Sequence, residues 1–166
     1  TMVYQSEWEA VTKYIKFLYQ TNVDAVIVSD LGLISYIHET YPDMEIHVST
    51  QAHTYLASQF DFYQELGVKR VVLDRELSLE EIDLLPNTLE KEVFIHGALC
   101  VSYSGECLMS ALKGGRSGNR GSCAQVCRLL YTLNYHGEKM GDKKYYLSTK
   151  ELNTSAYISE LFNSSI

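Results

Sequence analysis

Helix-like and strand-like stretches alternate without a break from Ser6 to Gly97, and this order constrains the fold more than any other feature of the chain. SEWEAVTKYIKFLYQTN sets Trp8, Val11, Ile15 and Leu18 at helical spacing, with Ser6 as N-cap and Glu9 completing a capping box. Asp24–Asp30 is a short apolar run, the pattern of a strand buried on both faces. LGLISYIHETY reads as a helix stopped at Pro42, and Glu45–Thr50 as the next strand. HTYLASQFDFYQELG is a helix with Gly67 just past its end, followed by a strand over Lys69–Glu76. SLEEIDLLP carries a second capping box, Ser78 with Glu81, and Lys91–Gly97 is the fourth strand. Alternation of this kind predicts parallel strands joined by helical crossovers.

The chain has neither a GxGxxG fingerprint nor a Walker loop. Polar residues gather instead where the strands end: Ser29 and Asp30, Ser49 to Gln51, Arg75 and Glu76, then His96. A (β/α) barrel places its chemistry at those ends. Four strands do not close an eight-stranded barrel. The expected class is therefore α/β, a fragment of a TIM-like (β/α) barrel, with a small β-hairpin inserted after the cysteines.

All four cysteines fall in one glycine-rich stretch, as Cys100-x6-Cys107-x15-Cys123-x3-Cys127. Four soft ligands in one segment suit a tetrahedral zinc ion or an iron–sulfur cluster. The spacing is neither the paired knuckles of a zinc ribbon nor a ferredoxin run. Gaps this long require the loop to fold back, a role for Gly105, Gly114, Gly115, Gly118 and Gly121. Two disulfides are the competing reading. The opening TMVYQSEWEA has no charged n-region and no apolar core of a signal peptide, so a reducing, cytoplasmic setting is expected. No run approaches the length of a membrane helix.

Net charge is −7, which argues against a generic nucleic-acid surface. Yet Lys113, Arg116, Arg120, Arg128, Lys139, Lys143, Lys144 and Lys150 face only Glu138 and Asp142 between residues 113 and 150. This basic island is either a solvated loop face or a place for an anionic substrate or RNA phosphates. After Cys127, LLYTLNY and KKYYLST flank the Gly-containing HGEKMGD as two strands of a hairpin. ELNTSAYISELFNSS closes as a helix with Thr154 as a possible cap. The expected division is 1–130 for the partial barrel with its cysteine loop, 131–150 for the hairpin and 151–166 for the closing helix.

EVFIHGALCVSYSGECLMS followed by GRSGNRGSCAQVCRLLY closely resembles the signature of peptidase family U32, the collagenase-like proteases. VDAVIVSDLG, HVSTQAHT, LGVKRVVLDRELSLEEI and YYLSTKELN resemble it as well, so the resemblance covers almost the whole chain. It implies a larger protein with a (β/α) barrel-like domain, of which this chain is a middle part. It implies a 4Fe–4S cluster and oxygen-independent hydroxylation of an RNA base or a ubiquinone precursor. The GRSGNRGSCAQ stretch resembles most the branch acting on the wobble uridine of tRNA, with prephenate as hydroxyl source. The family's older assignment implies the alternative, a peptidase acting on a protein or collagen-like peptide. The chain departs from the family at Val126, where Pro is usual, and at Leu129 and Leu130, where a basic residue and Pro are usual.

The residues carry these roles unequally. Cys100, Cys107, Cys123 and Cys127 are the expected cluster ligands, with zinc as the alternative. His96 is a candidate general acid or base; its other reading is a hydrogen-bonded core histidine. Arg75 with Glu76 offers a fork for an anionic carboxylate, or forms a rim ion pair. His47 and His53 flank the second strand, and either is plain structure on its own. Arg116, Asn119 and Arg120 in the glycine loop either cradle phosphate or scaffold the loop. Tyr135, Tyr145 and Tyr146 on the hairpin are candidates for base stacking. There is no HExxH, no GxSxG and no Ser–His–Asp order for a peptidase. An incomplete barrel leaves apolar edges and faces bare, so self-association of the chain is expected.

Overall fold

In a computed structural model, which describes residues 1–164 and 166, the chain divides into two units: Thr1–His96 with Asn153–Ile166, and Gly97–Leu152. The first unit contains α1 (Trp8–Gln20), β1 (Ala25–Val28), α2 (Leu31–Thr40), β2 (Glu45–Val48), α3 (Ala57–Glu65), β3 (Arg70–Val72), α4 (Leu79–Asp83) and β4 (Glu90–Glu92). Its strands form one sheet in the order β1-β2-β3-β4, and every pairing is parallel. Sequence neighbours are thus spatial neighbours, each step made through a helix, as the alternation predicts.

Register sorts the side chains between the two faces. Val26 pairs with Ile46, and Val28 with Val48, which pairs in turn with Val71. These residues join Ile15, Leu33, Ile34, Ile37, Phe60, Tyr63 and Ile82 of the helices in a single core. Residues between them point the other way, since strand side chains alternate. Ile27, His47, Arg70 and Glu90 form a row on that second face. Ile27 is 63% exposed, so β1 is buried on one face and not on both as its apolar run suggests.

Several boundaries differ from the sequence reading for local reasons. The first capping box does not use Ser6 and Glu9. Gln5–Glu7 form a turn of 3-10 helix, the Glu7 carboxylate accepts from the Tyr4 amide at 3.0 Å, and Glu9 is paired with Lys13 instead. The box of Ser78 and Glu81 forms as expected. α3 starts at Ala57, because Thr50–Ala52 make a separate 3-10 turn that ends on His53 in the left-handed region, φ 53°. The fourth strand is only Glu90–Glu92, and His96 opens a separate strand, β5 (His96–Ala98). The expected closing helix begins with strand β8 (Glu151–Asn153), which pairs with β5; α6 spans Ile158–Asn163. Thr154 caps nothing with its side chain, because its hydroxyl donates to the Ile95 carbonyl at 2.8 Å.

The second unit contains α5 (Met109–Gly114), two single 3-10 turns at Gly118–Arg120 and Val126–Arg128, and the antiparallel pair β6 (Asn134–Tyr135) and β7 (Glu138–Lys139). His136 and Gly137, both with positive φ, make the tight turn between β6 and β7. The hairpin is therefore present but narrower than its sequence suggests. KKYYLST contributes only an isolated bridge, Tyr131 to Lys144.

Candidate functional site

Two of the polar residues at the carboxyl ends of the first two strands, Asp30 and Ser49, are committed to the backbone. Asp30 caps α2 by accepting from the Leu33 amide at 3.0 Å, and its other oxygen accepts from Val3 at 3.0 Å. The Ser49 hydroxyl accepts from the Gln51 amide at 3.2 Å. His47 is buried on the sheet's second face with Nε2 2.8 Å from the Glu45 carboxylate, a structural pair.

The end of β3 carries more. Arg75 lays its guanidinium 4.0 Å from the centroid of the Phe94 ring. Such stacking leaves the in-plane N–H donors facing outward. Glu76 is exposed. Between β3 and Arg75, Asp74 is 4% exposed and its carboxylate lies 3.4 Å from His53 Nδ1. Burial raises the Asp74 pKa above its ordinary value; His53 and Arg75 oppose that rise, and Glu76 adds to it. Sequence reasoning passed over Asp74, although an aspartate directly after an apolar strand is an available signal. His96 is exposed at the start of β5.

All four cysteines lie in the second unit, and none is in a disulfide. Two of the sulfurs accept backbone N–H groups from two residues on: Cys107 Sγ from Met109 at 3.3 Å and Cys123 Sγ from Gln125 at 3.3 Å. The loop draws these two together at Gly118. A Cβ there would sit 3.5 Å from the Cys107 carbonyl oxygen and 3.8 Å from Cys123 Sγ. Ser110, 2% exposed, clamps the same loop: its hydroxyl donates to the Arg116 carbonyl at 2.5 Å and accepts from the Ala124 amide at 2.8 Å. Among the described residues, no group of three or more His, Cys, Asp or Glu side chains is arranged to hold a metal ion. In donor chemistry the four free thiols match a thiolate-ligated cluster.

The loop residues expected to cradle phosphate are drawn partly inward. Arg116 Nε donates to the Ser122 carbonyl at 3.0 Å, and the Asn119 side-chain oxygen accepts from the Ser117 hydroxyl. Arg120 is half-buried. Arg128 was counted in the sequence only as one more basic residue. Its side chain is bonded to four residues, Leu99, Ser148, Thr149 and Glu151. Of the residues at the three departures, Val126 is buried, whereas Leu129 and Leu130 are exposed.

Charge is split between the units. Residues 97–152 hold eight of the fourteen Lys and Arg but four of the twenty-one Asp and Glu. On the hairpin, Tyr135 is 65% exposed, and Tyr145 and Tyr146 are exposed as well. No described helix is long and apolar enough to cross a membrane.

Comparison with known proteins places this geometry in context. Peptidase family U32 matches residues 1–166. The chain is 38% identical over 169 residues to the 23S rRNA 5-hydroxycytidine C2501 synthase of Escherichia coli, covering 100% of this chain and 25% of that protein. It is 43% identical over 122 residues to tRNA hydroxylation protein P of Escherichia coli, covering 72% of this chain and 27% of that protein. A Porphyromonas gingivalis protein named collagenase is 29% identical over 182 residues, covering 100% of this chain and 43% of that protein. The chain thus spans well under half the length of these relatives. No solved structure matches.

Proposed function

The chain belongs to peptidase family U32, and on that premise we propose that it is part of an iron–sulfur-dependent RNA hydroxylase whose target is a tRNA uridine. The observation that carries this reading is the make-up of one unit: four free thiols and an excess of basic residues within Gly97–Leu152. Relatives named for hydroxylation of rRNA and tRNA give it direction. In this reading the four-stranded parallel unit belongs to a (β/α) barrel whose other strands lie elsewhere in the full-length protein.

Cys100, Cys107, Cys123 and Cys127 would hold a 4Fe–4S cluster, which when bound supplies one-electron redox chemistry. The N–H groups of Met109 and Gln125, aimed at two of the sulfurs, would orient those sulfurs as ligands. Arg75, stacked on Phe94, presents its fork to an anionic carboxylate, the chemistry of prephenate as hydroxyl source. His96, exposed, is the proposed proton donor or acceptor, and Glu76, exposed after β3, is a second candidate for that role. Lys139, Lys143 and Lys144 meet phosphates, while Arg116, Asn119 and Arg120 shape the loop beside the cysteines.

The test uses the full-length protein. Anaerobically purified wild type should carry about four iron and four sulfide per chain. Cys→Ser at any of the four positions should abolish uridine hydroxylation in a complemented deletion strain, read by nucleoside mass spectrometry. Gelatin cleavage by iron-free protein, lost on substitution of His96 with tRNA modification intact, would instead support the peptidase reading that the collagenase relative raises.

A further inference from the structure

Leu99 directly precedes Cys100, and Arg128 directly follows Cys127. These two neighbours are bonded to each other: Arg128 Nη2 donates to the Leu99 carbonyl at 3.0 Å. The same carbonyl accepts from the Thr149 hydroxyl at 2.7 Å, so both of its lone pairs are engaged. The other end of the guanidinium donates to the Ser148 hydroxyl at 3.0 Å, the Thr149 carbonyl at 2.8 Å and the Glu151 carboxylate at 3.0 Å. One half-buried side chain therefore ties the segment entering at Cys100, the turn carrying Cys127 and the stretch 148–151 into a single node. Cys107 and Cys123 are gathered by different means, the glycine contact at Gly118 and the Ser110 clamp.

We propose that Arg128 is a positioning residue for the cluster: it sets the separation of Cys100 and Cys127 and holds that pair ready for iron, while Ser110 and Gly118 do the same for Cys107 and Cys123. The proposal rests on the cluster reading above. Its physical basis is the shape of the fork. A guanidinium spans two acceptors at fixed angles and stays charged, whereas a lysine ammonium is a point donor on a flexible stem. Lysine at this position keeps the charge opposite Glu151 and loses the simultaneous reach to Leu99. Thr149 supports the same carbonyl from the other side, so its hydroxyl is a weaker part of the same node.

The test compares wild type, R128K and T149V as full-length protein under anaerobic conditions. Iron release to a chelator is followed by loss of visible absorbance. Hydrogen exchange of amides in Thr1–His96, read by mass spectrometry, monitors folding of the other unit separately. Iron release is expected to quicken about tenfold or more in R128K, the usual effect of removing support behind a metal ligand, and by less in T149V. Exchange protection in Thr1–His96 should be unchanged. A second measurement needs no iron. Spin labels on Cys100 and Cys127, in a background where every other cysteine of the protein is serine, should give a narrow distance distribution that broadens in R128K. Wild type that binds iron, with R128K releasing it at the same rate, overturns this proposal and leaves the cluster reading standing. So does a label distribution that R128K leaves unchanged. Wild type that never binds iron overturns the cluster reading and this proposal together.

Discussion

Gly67 tests the fold argument where two costs of known origin coincide. It ends α3 in the left-handed region, φ 68°, with its amide bonded to the Gln64 carbonyl at 3.0 Å and the Val68 amide bonded to Tyr63 at 3.0 Å. A Cβ at this position would lie 2.8 Å from His38 Cε1 and closer still to Nδ1, so the imidazole on the last turn of α2 has to move. Left-handed backbone costs an L-residue about 1–2 kcal/mol. Loss of unfolded-state freedom in Gly→Ala offsets about 0.4–1 kcal/mol of that. Overpacking against the ring adds about 1–3 kcal/mol. Gly67→Ala is therefore expected to destabilise the first unit by about 2–3 kcal/mol. With an m-value of about 1–3 kcal/mol/M, the urea midpoint drops by about 0.7–3 M. Trp8, the sole tryptophan, packs edge-on to Tyr36 at 5.4 Å and reports the transition by fluorescence. The two costs separate in a double-mutant cycle with His38→Ala, where the steric part should appear as a coupling of at least about 1 kcal/mol. A Gly67→Ala midpoint equal to wild type, or strict additivity with His38→Ala, would refute the reasoning.

Three further outcomes follow from particular side chains. Ser110→Ala leaves the Arg116 carbonyl and the Ala124 amide without their partner, a local cost of about 1–3 kcal/mol. Hydrogen exchange should quicken at Ala124, and unchanged protection there would discount the clamp. Asp74 holds its proton more tightly folded than unfolded, because burial raises its pKa above 3.8. Its contribution to stability is thus greatest in acid and declines as pH rises from that value through the folded pKa. Asp74→Asn should gain on wild type in urea midpoint across that window and then level off; a gap that narrows or stays flat contradicts the assignment. If the hairpin meets RNA, Lys143→Gln and Lys144→Gln should each flatten the salt dependence of RNA affinity, reducing the log–log slope by about 0.7–0.9. An unmoved slope would take those lysines off the interface.

How far the chain was legible depends on the range of the interaction. Ser78 with Glu81, and Gly67 at the end of α3, were readable because their partners lie within one or two turns. The parallel order of four strands was readable because alternation admits few other topologies. Ser6 and Glu9 misled because Glu7 sits equally well for Tyr4, and local spacing does not choose between them. The fourth strand is shorter than Lys91–Gly97 suggests because an apolar run marks burial, not the point where pairing stops.

The sequence by itself determined the α/β order, the concentration of thiols and basic residues in one segment, and the family. Each of these is a property of residue types and short spacings. Only the tertiary structure decided that Ile27 lies exposed, that Asp74 is buried against His53, and that Arg128 joins the neighbours of two cysteines. Asp74 and His53 stand 21 residues apart in the chain, and Arg128 and Leu99 stand 29 apart. Such pairs are set by how the crossovers and loops return the chain on itself. No periodicity encodes them, because the partner's identity is fixed by where the backbone arrives and not by what precedes it.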